Sequence, residues 1–525
     1  MKHATGYLLL GMIIGGTACF LFFCFAYPYH LLHREQMLLF TYTAEQFAGY
    51  FNHPAPLSCL TGDFLTQFFH HPNVGAAIVA LTMVLLGILT YFICRKWTNE
   101  RIALAASILI FVWESMRFCQ INYPLSGTLS LIGALSLFLL ADQLKGKWDF
   151  SIGSICGIIL CYCLFGYGIF IFTLLALISN LSRKKNYIGV CLMMIFTLAL
   201  PPIAANKYLI MPSQAYSFPA TLWYGIPDFE NERILGLNTE DYFENWDKIN
   251  ELAYKGVPAN AISVCYNLAN AMKNRLPEKL MDYYQPAALG LFMPVSEEST
   301  YLSTQLSGEV WFRLGDMTMA EHASMLSMIF SPQNKNARMV QRLAEINLVN
   351  GDHEAARKYL RILSKTLFYR QWAQERLPGK ESAEVKEWLR YKRSCLPQKD
   401  TLRLSSTDVV KSLHLLLEAN PANQMALDYL LCFDLLMKDL PAFLKDYEHY
   451  HPGVPNRLYA EALLIHLYQK RATGNEIKAK GINPAIVQEF NEYNHLHTKA
   501  QGNPSALETK FGRTYWFYYQ FAQFQ

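Results

Sequence analysis

Apolar positions follow two different patterns along this chain, and one replaces the other near residue 205. Up to that point they form continuous runs. Beyond it they recur at helical spacing, alternating with charged residues. A bilayer core about 30 Å thick needs about 20 apolar residues in helix. Tyr7–Tyr27, Asn73–Cys94, Ile102–Phe118, Tyr123–Ala141, Ser151–Asn180 and Tyr187–Ala205 therefore predict five or six membrane segments. The first has the length of an anchor, and no small-x-small cleavage site follows it, so it reads as retained. Ser151–Asn180 is long for one crossing and is interrupted by Phe165-Gly166-Tyr167-Gly168, which predicts a hairpin of two shorter helices. The last run ends at Pro201-Pro202.

Basic residues orient these segments, because short cytoplasmic loops collect lysine and arginine. Lys2, the Arg95/Lys96/Arg101 cluster and Lys145/Lys147 share one side if the first four segments each cross once. Arg183-Lys184-Lys185 join them only if 151–180 turns back. The last segment then carries the C-terminal part outward. The expected organisation is a transmembrane domain over 1–205 with an external loop at 28–72, a connector over 206–238, and a helical domain over 239–525. The class is all-α. The place expected is a bacterial inner membrane, with the C-terminal domain in the periplasm.

The loop 28–72 is too polar to span and too apolar to be a plain linker. Gln36–Phe51 and Leu57–His71 read as amphipathic helices, separated by Pro54 and Pro56. Their aromatic faces, Phe40, Phe47 and Phe51, then Phe64, Phe68 and Phe69, predict helices lying in the membrane interface. The loop also holds His30, His33, His53, His70 and His71, without the HxxxH spacing of a helical metal site. No metal or cofactor is expected. Within the third segment Glu114 and Arg117 stand three apart, which puts them on one helix face as a self-neutralising pair.

In the second half, Arg338–Asn350 and Glu354–Lys365 form the clearest helix pair, joined by Asn350-Gly351-Asp352. Asn423–Met437 with Leu440–Tyr447 is a second. Looser pairs occur at Tyr242–Tyr254 with Ala259–Lys273, and at Glu309–Ile329. Gly-Asp before an Ala-rich helix start, then Tyr and Leu, is a weak tetratricopeptide pattern. Such pairs bury their apolar stripes only by stacking, which yields a concave face suited to a peptide or protein partner. Pro212, Pro219, Gly225 and Pro227 mark the connector as irregular. Arg513–Gln525, dense in Tyr, Trp and Phe, is expected to cap the last core.

Composition excludes other classes. Hydrophobic residues make up 52% and charged residues 17%, against about 25% charged in ordinary soluble proteins. The net charge of +4 comes without a basic tract, so nucleic acid is not an expected partner. Most of the 12 cysteines lie inside apolar runs, where they act as small hydrophobes. No Walker loop, HExxH or GxSxG is present.

Several stretches carry a resemblance. They are Glu35-Gln36 with Leu38-Leu39-Phe40; Asp63 through Phe69; Tyr266-Asn267-Leu268-Ala269 with Leu276-Pro277 and Gln285; and Arg342-Leu343-Ala344-Glu345 through Phe368-Tyr369-Arg370-Gln371-Trp372-Ala373. Together they resemble an uncharacterised multipass transmembrane family of Bacteroidota, along nearly the whole chain. That resemblance implies the architecture and no chemistry. In layout the chain is also similar to C-type membrane glycosyltransferases, which use lipid-phosphate-sugar donors. This second likeness implies a catalytic carboxylate in the first external loop, here Glu35, then Glu45 and Asp63, acting as general base. It also implies Arg34 beside a phosphate. The paired acids of those enzymes are missing from the loop. The function expected is a membrane-anchored helical platform that binds another envelope protein or peptide. The alternative is a lipid-linked sugar transferase.

Overall fold

A computed structural model describes residues 2–221, 229–297, 299–397, 403, 407–450 and 453–523. Among these residues every regular element is a helix and there is no strand, which makes it an all-α protein. It divides into two compact units. The first comprises Met1–Leu235 together with Lys335–Ala337 and Ile362–Trp372. The second comprises Gly236–Asn334, Arg338–Arg361 and Ala373–Gln525.

The helices of the first unit are α1 (Lys2–Leu21), α2 (Pro28–Gln36), α3 (Ala44–Gly49), α4 (Pro56–Thr66), α5 (Pro72–Cys94) and α6 (Glu100–Phe118). They continue with α7 (Leu125–Ala141), α8 (Lys147–Phe165), α9 (Gly168–Ser179), α10 (Tyr187–Tyr208) and α11 (Pro212–Ser217), and α12 (Glu230–Tyr242) runs on into the second unit. Four helical stretches are long and apolar enough to cross a membrane: Leu8–Ala26, Pro72–Cys94, Lys147–Phe165 and Tyr187–Tyr208. α7 and α9 are apolar but shorter. α6 is long enough, but Glu100, Arg101, Glu114 and Arg117 dilute its apolar character. The last helix does not stop at Pro201-Pro202 as the sequence suggests. It continues to Tyr208, with both prolines inside, a placement that apolar helices packed on neighbours tolerate.

Gly166 explains the break between α8 and α9. Its φ is 59°, and a Cβ there would sit 2.2 Å from the carbonyl oxygen of Phe218, so no other residue fits without a shift. Asn180, just past α9, donates to Ser151 at the start of α8 at 3.1 Å. The two helices are therefore antiparallel, as the glycine break predicts. At this end of the bundle Lys96 pairs with Asp142 at 2.6 Å, Ser179 donates to the same carboxylate, and Asn186 donates to Ser151. The chain segments bearing Arg95, Lys96, Lys145, Lys147 and Arg183–Lys185 thus gather at one end. The Gly166 turn, Ala55 and Phe218 meet at the other.

Of the two helices predicted in the loop 28–72, Leu57–His71 is present as α4 continued by a 3-10 turn over Gln67–His70, and the other is not. Gln36–Phe51 is not one helix: α2 ends at Gln36, and α3 starts afresh where the Thr43 hydroxyl caps the Gln46 amide. The residues between run as irregular chain, and Tyr42 N–H donates to the carbonyl of Lys365 at 2.8 Å. Phe40 and Phe69 are buried and Phe68 packs edge-on against Phe368. Only half of the aromatic face therefore belongs to a protein core. Phe47, Phe51 and Phe64 stay exposed.

In the second unit come α13 (Trp246–Ala253), α14 (Asn260–Met272), α15 (Leu276–Lys279), α16 (Tyr301–Leu314), α17 (Met317–Phe330), α18 (Ala337–Asn350) and α19 (His353–Leu363). After them follow α20 (Arg370–Gln374), α21 (Ala383–Ser394), α22 (Val409–Ala419), α23 (Gln424–Leu436), α24 (Leu440–Tyr450) and α25 (Arg457–Gln469), with four further helices to Phe521. α18 begins with Ala337 and α20 lies mostly in the Ile362–Trp372 segment, so both straddle the unit boundary. The pair expected at Glu309–Ile329 is α16 and α17, with the first helix starting earlier, at Tyr301. Gly315, at φ 106°, turns the chain, and Ser327 donates to the carbonyl of Tyr301, so α16 and α17 are antiparallel. The aromatic C-terminus caps a core: Tyr515 and Trp516 are buried, and the Trp516 indole N–H donates to the Glu461 carbonyl at 3.0 Å. Gly225 and Pro227 of the connector, and Phe524 and Gln525, lie outside the described residues.

Candidate functional site

α2 is the most unusual element of the first unit. Its sequence, Pro-Tyr-His-Leu-Leu-His-Arg-Glu-Gln, is polar, yet every residue from His30 to Gln36 is buried. A polar helix is stable inside a fold only if each polar group is hydrogen-bonded. Its N-terminus is closed by Glu232, whose carboxylate accepts from the amides of Tyr29 and His30 at 2.7 and 3.0 Å. Burial pushes the Glu232 carboxyl up to about 8, against the pull of these two amides. His30 Nε2 lies 2.8 Å from the carbonyl of Phe118, which makes that nitrogen the donor. Burial and the nearby Arg34 hold His30 well below the usual imidazole range.

Arg34 is engaged by the end of α6. Its guanidinium lies over the Phe118 ring at 4.2 Å and donates to the carbonyls of Phe118 and Gln120. The cation thereby ties α2 to the end of α6.

Glu35 is the group that α2 presents to a recess. The recess is small, with a volume of about 10 Å³, and is lined by Glu35, Leu38, Phe40, Gln67, Thr366, Leu367, Phe368 and Tyr369. Tyr369 donates its hydroxyl to Glu35 Oε2 at 2.7 Å, and His70 Nδ1 lies 3.6 Å from the same oxygen. His70 stacks on Phe368 with ring centroids 4.7 Å apart. A carboxylate, an imidazole and a phenol are thereby contiguous, the set of groups that holds or passes a proton. Gln67 is fixed by accepting from Tyr42 and donating to the Phe64 carbonyl.

Asp63 lies one turn before Gln67 but is not part of this recess. Its carboxylate accepts from Tyr50 at 2.7 Å. Burial raises its carboxyl above the ordinary range, while the Tyr50 bond and the charge of Lys335 pull it back. Glu35 and Asp63 therefore stand in separate settings. Glu45 is exposed in the first turn of α3.

Glu114 and Arg117 do pair, at 2.7 Å, and both are buried. Glu114 also accepts from Tyr123 and Thr128 at 2.5 and 2.6 Å, and Arg117 donates to the Thr221 carbonyl. This satisfied cluster stitches α6, α7 and the segment after α11 together. Among the described residues no group of His, Cys, Asp and Glu side chains is arranged to hold a metal ion.

Sequence reasoning named Glu35 and missed what surrounds it. Thr366, Phe368 and Tyr369 come from a segment some three hundred residues downstream. The run Leu367-Phe368-Tyr369 was visible as an aromatic patch without helical spacing. Nothing local says which surface it covers.

The chain belongs to a family of unknown function (DUF6057), whose model matches residues 2–522. No curated protein and no solved structure matches it.

Proposed function

We propose that this is a multipass membrane protein whose second unit is a helical-repeat platform for protein interaction on the outer face of a bacterial inner membrane. In this reading α1, α5, α6, α7, α8, α9 and α10 each cross, with the shorter α7 and α9 reaching across through their polar ends. The lysine- and arginine-bearing end of the bundle then faces the cytoplasm, in accord with the positive-inside rule. The carrying observation is the hydrogen bond from Tyr369 to Glu35. In this reading the helices continuous with residues 362–372 stay on the external side, since residues 362–372 pack against the loop 28–72. Stacked helix pairs favour a peptide or another envelope protein as partner.

A second reading, a transferase using a lipid-linked sugar donor, draws on one observation: Glu35 lines a recess and has both a phenol and an imidazole at its carboxylate. Glu35 would be the base, with Asp63 as the lesser candidate. Paired reporter fusions after Gln525, one active only outside and one only inside, test the platform reading. Outside activity supports it, and inside activity overturns it. Glu35→Gln in the full chain tests the second reading: an unchanged cell-surface glycan profile removes it.

A further inference from the structure

Three consecutive helices of the second unit converge on a small cluster of titratable groups: His414 in α22, Asp434 in α23 and Asp446 in α24. His414 Nε2 lies 3.3 Å from Asp446 Oδ2, and its Nδ1 is 3.2 Å from the Tyr450 hydroxyl. Asp446 thus has a basic partner. Asp434 differs: it is 3% exposed, and its Oδ2 has no hydrogen-bond partner. A buried carboxylate without donors keeps its charge only at high cost, and taking up a proton removes that cost.

The groups facing Asp434 point the same way. Asp446 from α24 and Asp439 from the α23–α24 turn are acidic, and His414 from α22 is the basic group that opposes them. Lys445 bears on His414 instead. Lys438, in the same turn, donates its ammonium to the Ala522 carbonyl. From the C-terminal helix, Tyr515 donates to the Leu435 carbonyl, leaving the carboxyl to its acidic neighbours. On α23 itself the nearby titratable side chains are Cys432 and Asp428. Burial first, then the charges of Asp446 and Asp439, push the Asp434 carboxyl up to about 8.

We propose that Asp434 carries a proton in the folded protein while His414 pairs with Asp446, so that the α22–α23–α24 joint is tight at acid pH and loosens as pH rises.

Both titrations act in the same direction. Asp434 is raised above its unfolded value of about 4, so its contribution is complete below that pH and is lost as pH climbs toward about 8. His414 is raised by its hydrogen bond to Asp446, so its contribution is present below about 6.5 and lost through its higher folded value. The device depends on these side chains alone and holds on either side of a membrane.

Hydrogen exchange by mass spectrometry on the full chain in detergent tests it, at about pH 6 and about pH 8.5, with intrinsic rates corrected. In the unmodified protein, peptides within 424–450 are expected to lose protection ~10-fold or more between the two conditions. Asp434→Asn should reduce that loss to ~3-fold or less, the part due to His414. Asp446→Asn should also shrink it, because Asp434 loses its charged neighbour, and it serves if the first variant fails to fold. Equal protection at both pH values in the unmodified chain would overturn the proposal. So would an undiminished loss in either variant.

Discussion

Arg117 in the first unit and Arg338 in the second are both buried cations, yet they are satisfied in different ways. Arg117 pairs with one carboxylate, Glu114, and donates through Nη2 to the Thr221 carbonyl. Glu114 in turn takes neutral hydroxyls from Tyr123 and Thr128. Arg34 bonds two carbonyls, and Glu232 two amides. Arg338 instead lies between two carboxylates, 2.8 Å from Asp241 and 3.3 Å from Glu309. Arg342 continues the row between Glu309 and Glu345, both at 2.6 Å. The difference follows from where the charges sit. In the apolar bundle they cluster at helix ends, where backbone groups lack partners. In the helical unit they lie on the inward faces of amphipathic helices, where acids and arginines alternate. The bundle ties loops to helices this way, and the second unit ties helix to helix.

Substitutions can break or sharpen this contrast. The largest effect is expected from Glu309→Gln, which leaves Arg338 and Arg342 short of a shared carboxylate and should cost about 3–5 kcal/mol of stability. Thermal unfolding of the full chain in detergent measures it, and a change under 1 kcal/mol would mean the row is not a stabilising network. Arg117→Met should cost less, about 2–3 kcal/mol, because Tyr123 and Thr128 still donate to Glu114. A loss as large as that of Glu309→Gln would erase the distinction between the units.

Glu232 gives a pH test of the first unit. Its carboxyl is raised to about 8 by burial. The sign is that of a raised acid: the stability it confers is full below about pH 4.5 and falls as pH rises toward 8. Exchange protection of residues 28–36 should therefore decline over that range, by on the order of 1–2 kcal/mol, and Glu232→Gln should flatten the decline. An unaltered slope in the variant would assign it to another group. The smallest effect is expected of Tyr369→Phe, about 1 kcal/mol for one hydrogen bond. It should be confined to peptides of the loop 28–72 and residues 362–372.

Much of this was legible in the residues. The apolar runs, the turn at Gly166, the pairs Ala337–Asn350 with His353–Leu363 and Gln424–Leu436 with Leu440–Tyr450, and the aromatic cap follow from helical spacing and glycine placement. Other features were not. Polar α2 has no apolar stripe to announce its burial, because its burial rests on partners at Phe118, Gln120 and Glu232. Gln36–Phe51 has helical periodicity, but the Thr43 cap and the Tyr42–Lys365 backbone bond win over it. The Glu35 recess is closed by residues far downstream, and no local pattern encodes such a closure.

The account rests on residues 362–372 packing against the first loop, and a cysteine pair tests this most directly. His70→Cys with Phe368→Cys, in the full chain and in native membranes under mild oxidation, places thiols where two rings now stack. The expected result is a disulfide-linked peptide pair by mass spectrometry, alongside a control link between Tyr301→Cys and Ser327→Cys in the α16–α17 hairpin. A control link without the His70–Phe368 link would contradict the account. It would separate the first loop from residues 362–372 and leave Glu35 without the recess described.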